Sequence, residues 1–168
     1  MSDFATDLAS QLPRLRRYAR ALTHDAAWAD DLVQDTLERA LGRRWLFRFN
    51  GKLSAWLYTM LYRLYLNDAA RRRRLTLVPP EQLPEVADPA AADPALRLDL
   101  RQALARLSIE HRSVLVLVAL EQLSYKEAAA VLQVPVGTVM SRLARAREQL
   151  RLLLDGGAAG AATLTRIK

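Results

Sequence analysis

The sequence predicts an all-α chain built as two small helical domains joined by a flexible linker. Three observations lead there. No stretch alternates polar and apolar residues with the period of two that a half-buried strand requires. Long windows are rich in Ala, Leu and Arg, which are strong helix formers, and their apolar residues recur at three- and four-residue spacing. Five of the seven prolines fall in one stretch, Pro79, Pro80, Pro84, Pro89 and Pro94, among Ala, Glu and Asp. Proline removes a backbone donor and disfavours helix in the residue before it, so residues 76–98 are expected to be an extended acidic linker.

The elements follow in chain order. Leu8, Leu12, Leu15, Ala19 and Leu22 trace the apolar stripe of a first helix. Pro13 lies inside that stripe, which points to a helix start near Pro13. A second helix is expected over about Asp25 to Leu41, with Ala29, Leu32, Val33, Leu37, Ala40 and Leu41 on its apolar side. Asp31, Gln34, Asp35 and Glu38 fall at i, i+3, i+4 and i+7 and form an acidic stripe on another side. Such a stripe is either a solvated face or a docking surface for a basic partner. Residues 42–52 then interleave Arg43, Arg44, Arg48 and Lys52 with Trp45, Phe47 and Phe49, bounded by Gly42 and Gly51. A loop of this kind can set aromatic faces and cations beside unstacked bases, or plug a core. A third helix is expected from about Leu53 to Arg74. Trp56, Leu57, Met60, Leu61 and Leu64 give its core stripe, with Tyr58, Tyr62 and Tyr65 nearby. Arg63, Asn67 and Arg71 share one face, and the helix ends in four consecutive arginines that can neutralise phosphates.

Leu96, Leu100, Ala103, Leu104 and Leu107 mark a fourth helix, and Ser108 is positioned to cap a fifth that carries the apolar run Val114 to Leu120. Ser124 and Glu127 form a capping box opening a short helix, Tyr125 to Leu132. Gln133-Val134-Pro135 makes a turn, and a last helix runs from Val136 to about Leu154 with Val139, Leu143, Ala146 and Leu150 inward. Two helices joined by a tight turn, the second long and basic, form a helix-turn-helix pattern. Thr138, Ser141, Arg142 and Arg145 lie on the outer face near the start of the second helix, where side chains can reach base edges in a major groove. Residues 156–168 lack a periodic face and are expected to be disordered.

Composition bounds the chemistry. The 168 residues carry 25 Lys and Arg against 18 Asp and Glu, a formal charge of +7, and no cysteine. The absence of cysteine excludes disulfides, Cys-based zinc sites, iron–sulfur clusters and a Cys nucleophile. His24 and His111 are the only imidazoles, so a histidine-rich metal site is excluded too, and no cofactor is expected. The first twenty residues have no apolar core segment, and no run approaches the roughly 20 apolar residues of a membrane span. A soluble, cytoplasmic chain without membrane insertion is expected. The charge is uneven: residues 1–75 hold a net +6, residues 76–98 a net −3, and residues 99–168 a net +4. Basic lobes point to a polyanionic partner.

These motifs resemble a known family. Asp30-Asp-Leu-Val-Gln-Asp-Thr-Leu-Glu-Arg-Ala40, then Leu53-Ser-Ala-Trp-Leu-Tyr-Thr-Met60 with its arginines, then Leu123-Ser-Tyr-Lys-Glu-Ala-Ala129 and Val134 through Arg147, occur in the order found in the extracytoplasmic-function (ECF) sigma factors of the sigma-70 family. The resemblance covers about residues 8–154. It implies a sigma region 2 over 8–75, a linker over 76–98 and a sigma region 4 over 99–155. It implies that Asp31, Leu32, Gln34, Asp35 and Glu38 bind the clamp helices of the largest subunit of core RNA polymerase. It implies that Arg48, Phe49, Asn50, Lys52, Tyr58, Arg63, Asn67 and Arg71 meet the −10 element, with Phe49 and Asn50 forming a pocket for a flipped base. The C-terminal domain would sit on the flap of the second-largest subunit, with Thr138, Ser141, Arg142 and Arg145 on the −35 element. An anti-sigma factor is the usual inhibitor in this family. The chain departs from the family pattern at Arg63, often Asn, at Gln133, often Gly, and at Met140, frequently Lys.

From the residues alone two rivals stay open. A repressor-type module explains residues 108–150 but leaves the acidic stripe and the Arg/aromatic helix unused. A recombinase with a C-terminal helix-turn-helix needs a catalytic Ser or Tyr among clustered arginines in a nuclease-like fold, and the first domain is too small and too helical for one.

Overall fold

The computed structural model describes residues 3–47, 51–75 and 94–156. Within these the chain forms seven α-helices and no strand. They are α1 (Phe4–Thr23), α2 (Ala26–Gly42), α3 (Leu53–Leu75), α4 (Pro94–Arg106), α5 (Ile109–Leu115), α6 (Tyr125–Leu132) and α7 (Val136–Asp155), with a short 3-10 turn at Arg44–Leu46 and a π-helical turn at Val116–Leu120. None of the described helices is long and apolar enough to cross a membrane.

α1 to α3 form one cluster. α1 buries Leu8, Leu15, Tyr18, Ala19 and Leu22. It starts nine residues before Pro13 and runs through it, which corrects the expected start. Pro13 lies on the exposed side, while Leu8 anchors the turns before it. Burial of that first stripe outweighs a proline cost of about 3 kcal/mol. The Asp25 carboxylate caps α2 by accepting from Trp28 N at 3.1 Å. α3 buries Leu57, Tyr58, Leu61, Tyr62, Tyr65 and Ala69 between its neighbours. Aromatic pairs fix the packing. Tyr18 meets Tyr58 edge-on at 5.2 Å, and Trp28 stacks on Tyr65 at 5.4 Å with the Arg72 guanidinium 4.1 Å from its ring centre.

α4 to α7 form the second cluster. The helix of α4 begins at Pro94 and so takes up the last residues of the expected linker. Proline is well suited to a helix's first turn. Residues 76–93 and 157–168, which hold the rest of the linker and nearly all of the expected tail, lie outside the described residues. Ser108 caps α5, accepting from His111 N. The apolar run expected to complete α5 instead widens into the π turn, with Glu121 N bonded to Val116 O at 2.9 Å. The expected capping box of α6 is present in both halves, Glu127 N to Ser124 Oγ at 3.1 Å and Ser124 N to Glu127 Oε1 at 3.3 Å.

The two clusters pack on each other, α1 against α5 and α3 against α6. Their buried side chains form one continuous core that takes in Tyr18, Tyr58 and Leu61 from the first cluster and Val114, Leu117, Ala128 and Leu143 from the second.

Candidate functional site

The candidate site residues divide among three helix faces. On α2, Asp31, Gln34, Asp35 and Glu38 are all exposed, and Gln34 bonds to Glu38 at 3.3 Å. Ala29, Leu32, Val33 and Ala40 turn inward, so the amphipathic pattern sorts as the spacing predicts. Leu32 is the exception among the expected polymerase contacts. It is 2% exposed and holds α2 on the bundle, so it presents no surface to a partner. Between α2 and α3 lies a shallow groove of about 330 Å³ lined by Asp35, Arg39, Asn67, Asp68 and Arg71 over Leu32 and Leu64. It brings the acidic stripe next to two of the residues expected at the −10 element.

On α3, Arg63, Asn67 and Arg71 are exposed on one face. Arg71 is paired with Asp68, which also accepts from Trp28 Nε1 at 2.6 Å. Burial pushes the Asp68 carboxyl up. Hydrogen bonds from Arg71 and Trp28 and the charges of Arg71 and Arg72 outweigh that, and its pKa is lowered. Tyr58 is misplaced by the sequence expectation. It is fully buried, and its hydroxyl donates to Glu121 at 2.8 Å. A tyrosine on the inward stripe with a buried carboxylate partner is a core residue and cannot touch DNA in this arrangement. Lys52 is exposed but pairs with Glu127 of α6 at 3.2 Å. Arg48, Phe49 and Asn50 lie outside the described residues. The flanking aromatics split: Trp45 is exposed, whereas Phe47 packs with Phe4 and Trp56.

On α7, Ser141 and Arg145 are exposed, and Thr138 and Arg142 are half-buried. Val139, Leu143 and Ala146 are buried beneath them. Pro135 precedes α7 in an extended conformation, and Gln133 ends α6 in the left-handed region at φ 56°. The basic face of Ser141 and Arg145 therefore projects from the N-terminal half of a helix set at a fixed angle by a tight turn, the arrangement that presents side chains to a major groove.

Sequence reasoning missed a set of polar residues joining the clusters: the buried Tyr18, Arg112, Ser113 and Glu121, with the more exposed Arg14 and Arg17 reaching in to Glu121. Their partners stand about a hundred positions apart, and no local spacing reveals such pairs. The one visible signal was a glutamate ending the apolar run Val114–Leu120. Among the described residues no group of His, Cys, Asp and Glu could hold a metal ion.

Known proteins share these features. Residues 8–62 match the family model described as the Sigma2 domain of PhyR, and residues 97–150 match that of Sigma-70, region 4. An ECF RNA polymerase sigma factor, EcfG of Rhodopseudomonas palustris, is 38% identical, with 88% of this chain and 83% of that protein covered. The RNA polymerase sigma-E factor of Streptomyces coelicolor is 40% identical, with 82% of this chain and 77% of that protein covered. The sigma factor RpoE of Bartonella quintana, solved with the anti-sigma factor NepR, superposes with a TM-score of 0.83 at 31% identity, covering 93% of this chain and 99% of that one. CnrH in complex with the cytosolic domain of CnrY superposes at 0.69 with 29% identity, covering 92% and 89%. The chain belongs to the ECF sigma factors of the sigma-70 family, non-catalytic proteins that direct RNA polymerase to promoters.

Proposed function

We propose that this sigma factor docks on core RNA polymerase through the acidic face of α2 and contacts promoter DNA through α3 and α7. The observation that carries the reading is the sorting of charge by helix face. α2 offers Asp31, Gln34, Asp35 and Glu38, whereas α3 offers Arg63, Asn67 and Arg71, and α7 offers Ser141 and Arg145. An acidic stripe repels phosphates and suits a basic protein surface, here the clamp helices of the largest subunit. The basic faces suit DNA, the −10 element at α3 and the loop before it, and the −35 element at α7. Phe49 and Asn50 are the residues proposed to accept a flipped −10 base, a step whose cost of a few kcal/mol stacking can offset. The second cluster would rest on the flap of the second-largest subunit. A chain that acts on RNA polymerase would do so in the cytoplasm.

A similar sigma factor, RpoE of Bartonella quintana, was solved with the anti-sigma factor NepR. We extend that partnership to this chain: an anti-sigma factor sequesters it until a signal releases it.

The test is reconstitution with purified core polymerase. The wild-type chain is expected to co-migrate with core and to shift a promoter fragment that core alone does not. Reversal of charge at Asp31 and Asp35 to Lys is expected to abolish core binding while helix content stays unchanged. Undiminished core binding by that variant would return the stripe to the status of a solvated face.

A further inference from the structure

α3 carries five arginines and a single acid, Asp68. The acid follows Asn67 and precedes Arg71 by three residues, so it stands on the side of the helix proposed to meet DNA. A carboxylate there repels phosphates and lowers the affinity of a basic face for any nucleic acid. What it holds explains its presence. One carboxylate oxygen accepts from Arg71 Nη2. The other accepts from Trp28 Nε1 at 2.6 Å and lies 3.5 Å from Arg72 Nε. The Asp68 side chain is 17% exposed, against 72% for Arg71 and 47% for Arg72. The acid therefore lies deeper than the arginines it holds.

An acid and a base three or four residues apart can serve a helix alone. Here the acid is itself fixed from a second helix. Trp28 belongs to α2, where its backbone N–H donates to the Asp25 cap at 3.1 Å. Its ring stacks on Tyr65 at 5.4 Å, and the Arg72 guanidinium lies 4.1 Å from the centre of the same ring. Indole N–H, indole face and carboxylate make a bracket that sets two guanidiniums at the exposed end of α3. Among the described residues, the ion pairs of the four-arginine run are those of Arg71 and Arg72 with Asp68.

A mobile arginine meets phosphates in many geometries and carries no sequence information by doing so. A guanidinium fixed in plane and direction loses less freedom on binding, and it fits a base edge or a phosphate only in one register. A guanidinium has five donors, more than one carboxylate accepts, so a bracketed arginine can still meet DNA.

We propose that Asp68 is a positioning residue that makes the −10 face of α3 selective. Anchored by Trp28, it holds Arg71 and Arg72 in one geometry, which lowers affinity for DNA in general and raises discrimination for the −10 element. This rests on the reading that α3 contacts that element.

The test uses holoenzyme reconstituted from core polymerase and the full chain. Two DNA fragments are compared, one spanning a start mapped with wild-type holoenzyme and one with its −10 base pairs replaced. Asp68→Asn keeps the size of the side chain and an acceptor for Trp28 but removes the charge. It is expected to bind the replaced fragment roughly threefold tighter than wild type, with a log–log salt slope steeper by about one, because one more cation reaches phosphate. The ratio of the two affinities is expected to fall about tenfold. Asp68→Glu keeps the charge and is expected to return the salt slope to the wild-type value. Trp28→Phe keeps an aromatic ring but removes the N–H anchor. It is expected to lower the ratio with the slope unchanged, and it keeps the measurement informative if Asp68→Asn fails to fold. A purely structural role would weaken binding to both fragments alike, so an unchanged ratio in the folded variants would overturn the proposal. A slope in Asp68→Glu as steep as in Asp68→Asn would overturn it too. Arg71→Gln with Arg72→Gln separates these results from a failure of the functional reading. If that variant binds the promoter fragment as wild type does, this end of α3 makes no DNA contact, and both readings fall. If it binds more weakly while the ratio survives in Asp68→Asn and Trp28→Phe, the role of Asp68 alone is overturned.

Discussion

At the scale of single residues, backbone conformation and burial decide more than residue type. Gln133 shows the first. It closes α6 at φ 56° and ψ 47°, a conformation that costs a side chain about 1–2 kcal/mol and costs glycine little. Its amide bond to the Ala130 carbonyl at 2.7 Å is exposed and recovers a small part of that. Gln133→Gly is expected to raise stability by about 0.5–1 kcal/mol, after the greater chain entropy glycine loses on folding, as read by urea unfolding. An unchanged or lower midpoint would mean that the side-chain bond outweighs the backbone strain. His24 shows the second. It caps α1 with its Nε2 buried and unpartnered, and burial, with the charges of Arg112 and Arg101, holds its pKa down to about 4. The unfolded chain therefore binds a proton here that the folded chain refuses, and stability falls as pH drops from about 6.5 toward 4. His24→Asn, which tolerates the left-handed conformation at this position, should flatten unfolding midpoints across that window. Glu121 adds to acid sensitivity lower down. Burial raises its pKa, but Arg17 and Tyr58 lower it further, so its contribution is present above the ordinary carboxylate value and is lost as pH falls through its depressed one.

At the scale of elements, amphipathic spacing and caps were legible, and irregular turns were not. The capping box of Ser124 and Glu127 and the bounds of α6 follow from four residues of sequence. α1 begins earlier than its proline suggests, because the apolar stripe of Leu8 continues on the far side of Pro13. The π turn had no signature, since an apolar run of seven residues satisfies an α-helix and a π turn equally. The exposed faces of α2 and α7 followed from periodicity. The burial of Leu32 and Tyr58 did not, because a functional pattern and a core pattern overlap at those positions. Ser124→Ala removes one half of the box and is expected to cost about 1 kcal/mol. The loss should appear in thermal unfolding and should weaken promoter binding by loosening the turn before α7. Arg142→Ala is expected to weaken −35 recognition by about 1–3 kcal/mol if the arginine reads a base edge, with core binding intact. Equal loss on all DNA sequences would assign it to a phosphate instead.

At the scale of the whole molecule, the net charge of +7 hides a division of labour. The basic residues of α3 and α7 and the acidic stripe of α2 face outward on different helices, while Arg14, Arg17, Arg112 and Glu121 are spent on the seam between the clusters. The two-domain organisation was legible from the proline-rich stretch, because its composition differs from either side. The closed packing was not, because it depends on pairs such as Tyr18 with Ser113 that only the folded chain brings together. The most direct test of the central claim, that these faces act together as a promoter-reading unit, is start-site mapping of transcripts made by core polymerase reconstituted with this chain. The account predicts discrete starts that share sequence near −10 and −35, are absent with core alone, and lose their −35 signature with Arg142→Ala. Transcription indistinguishable from that of core alone would contradict it.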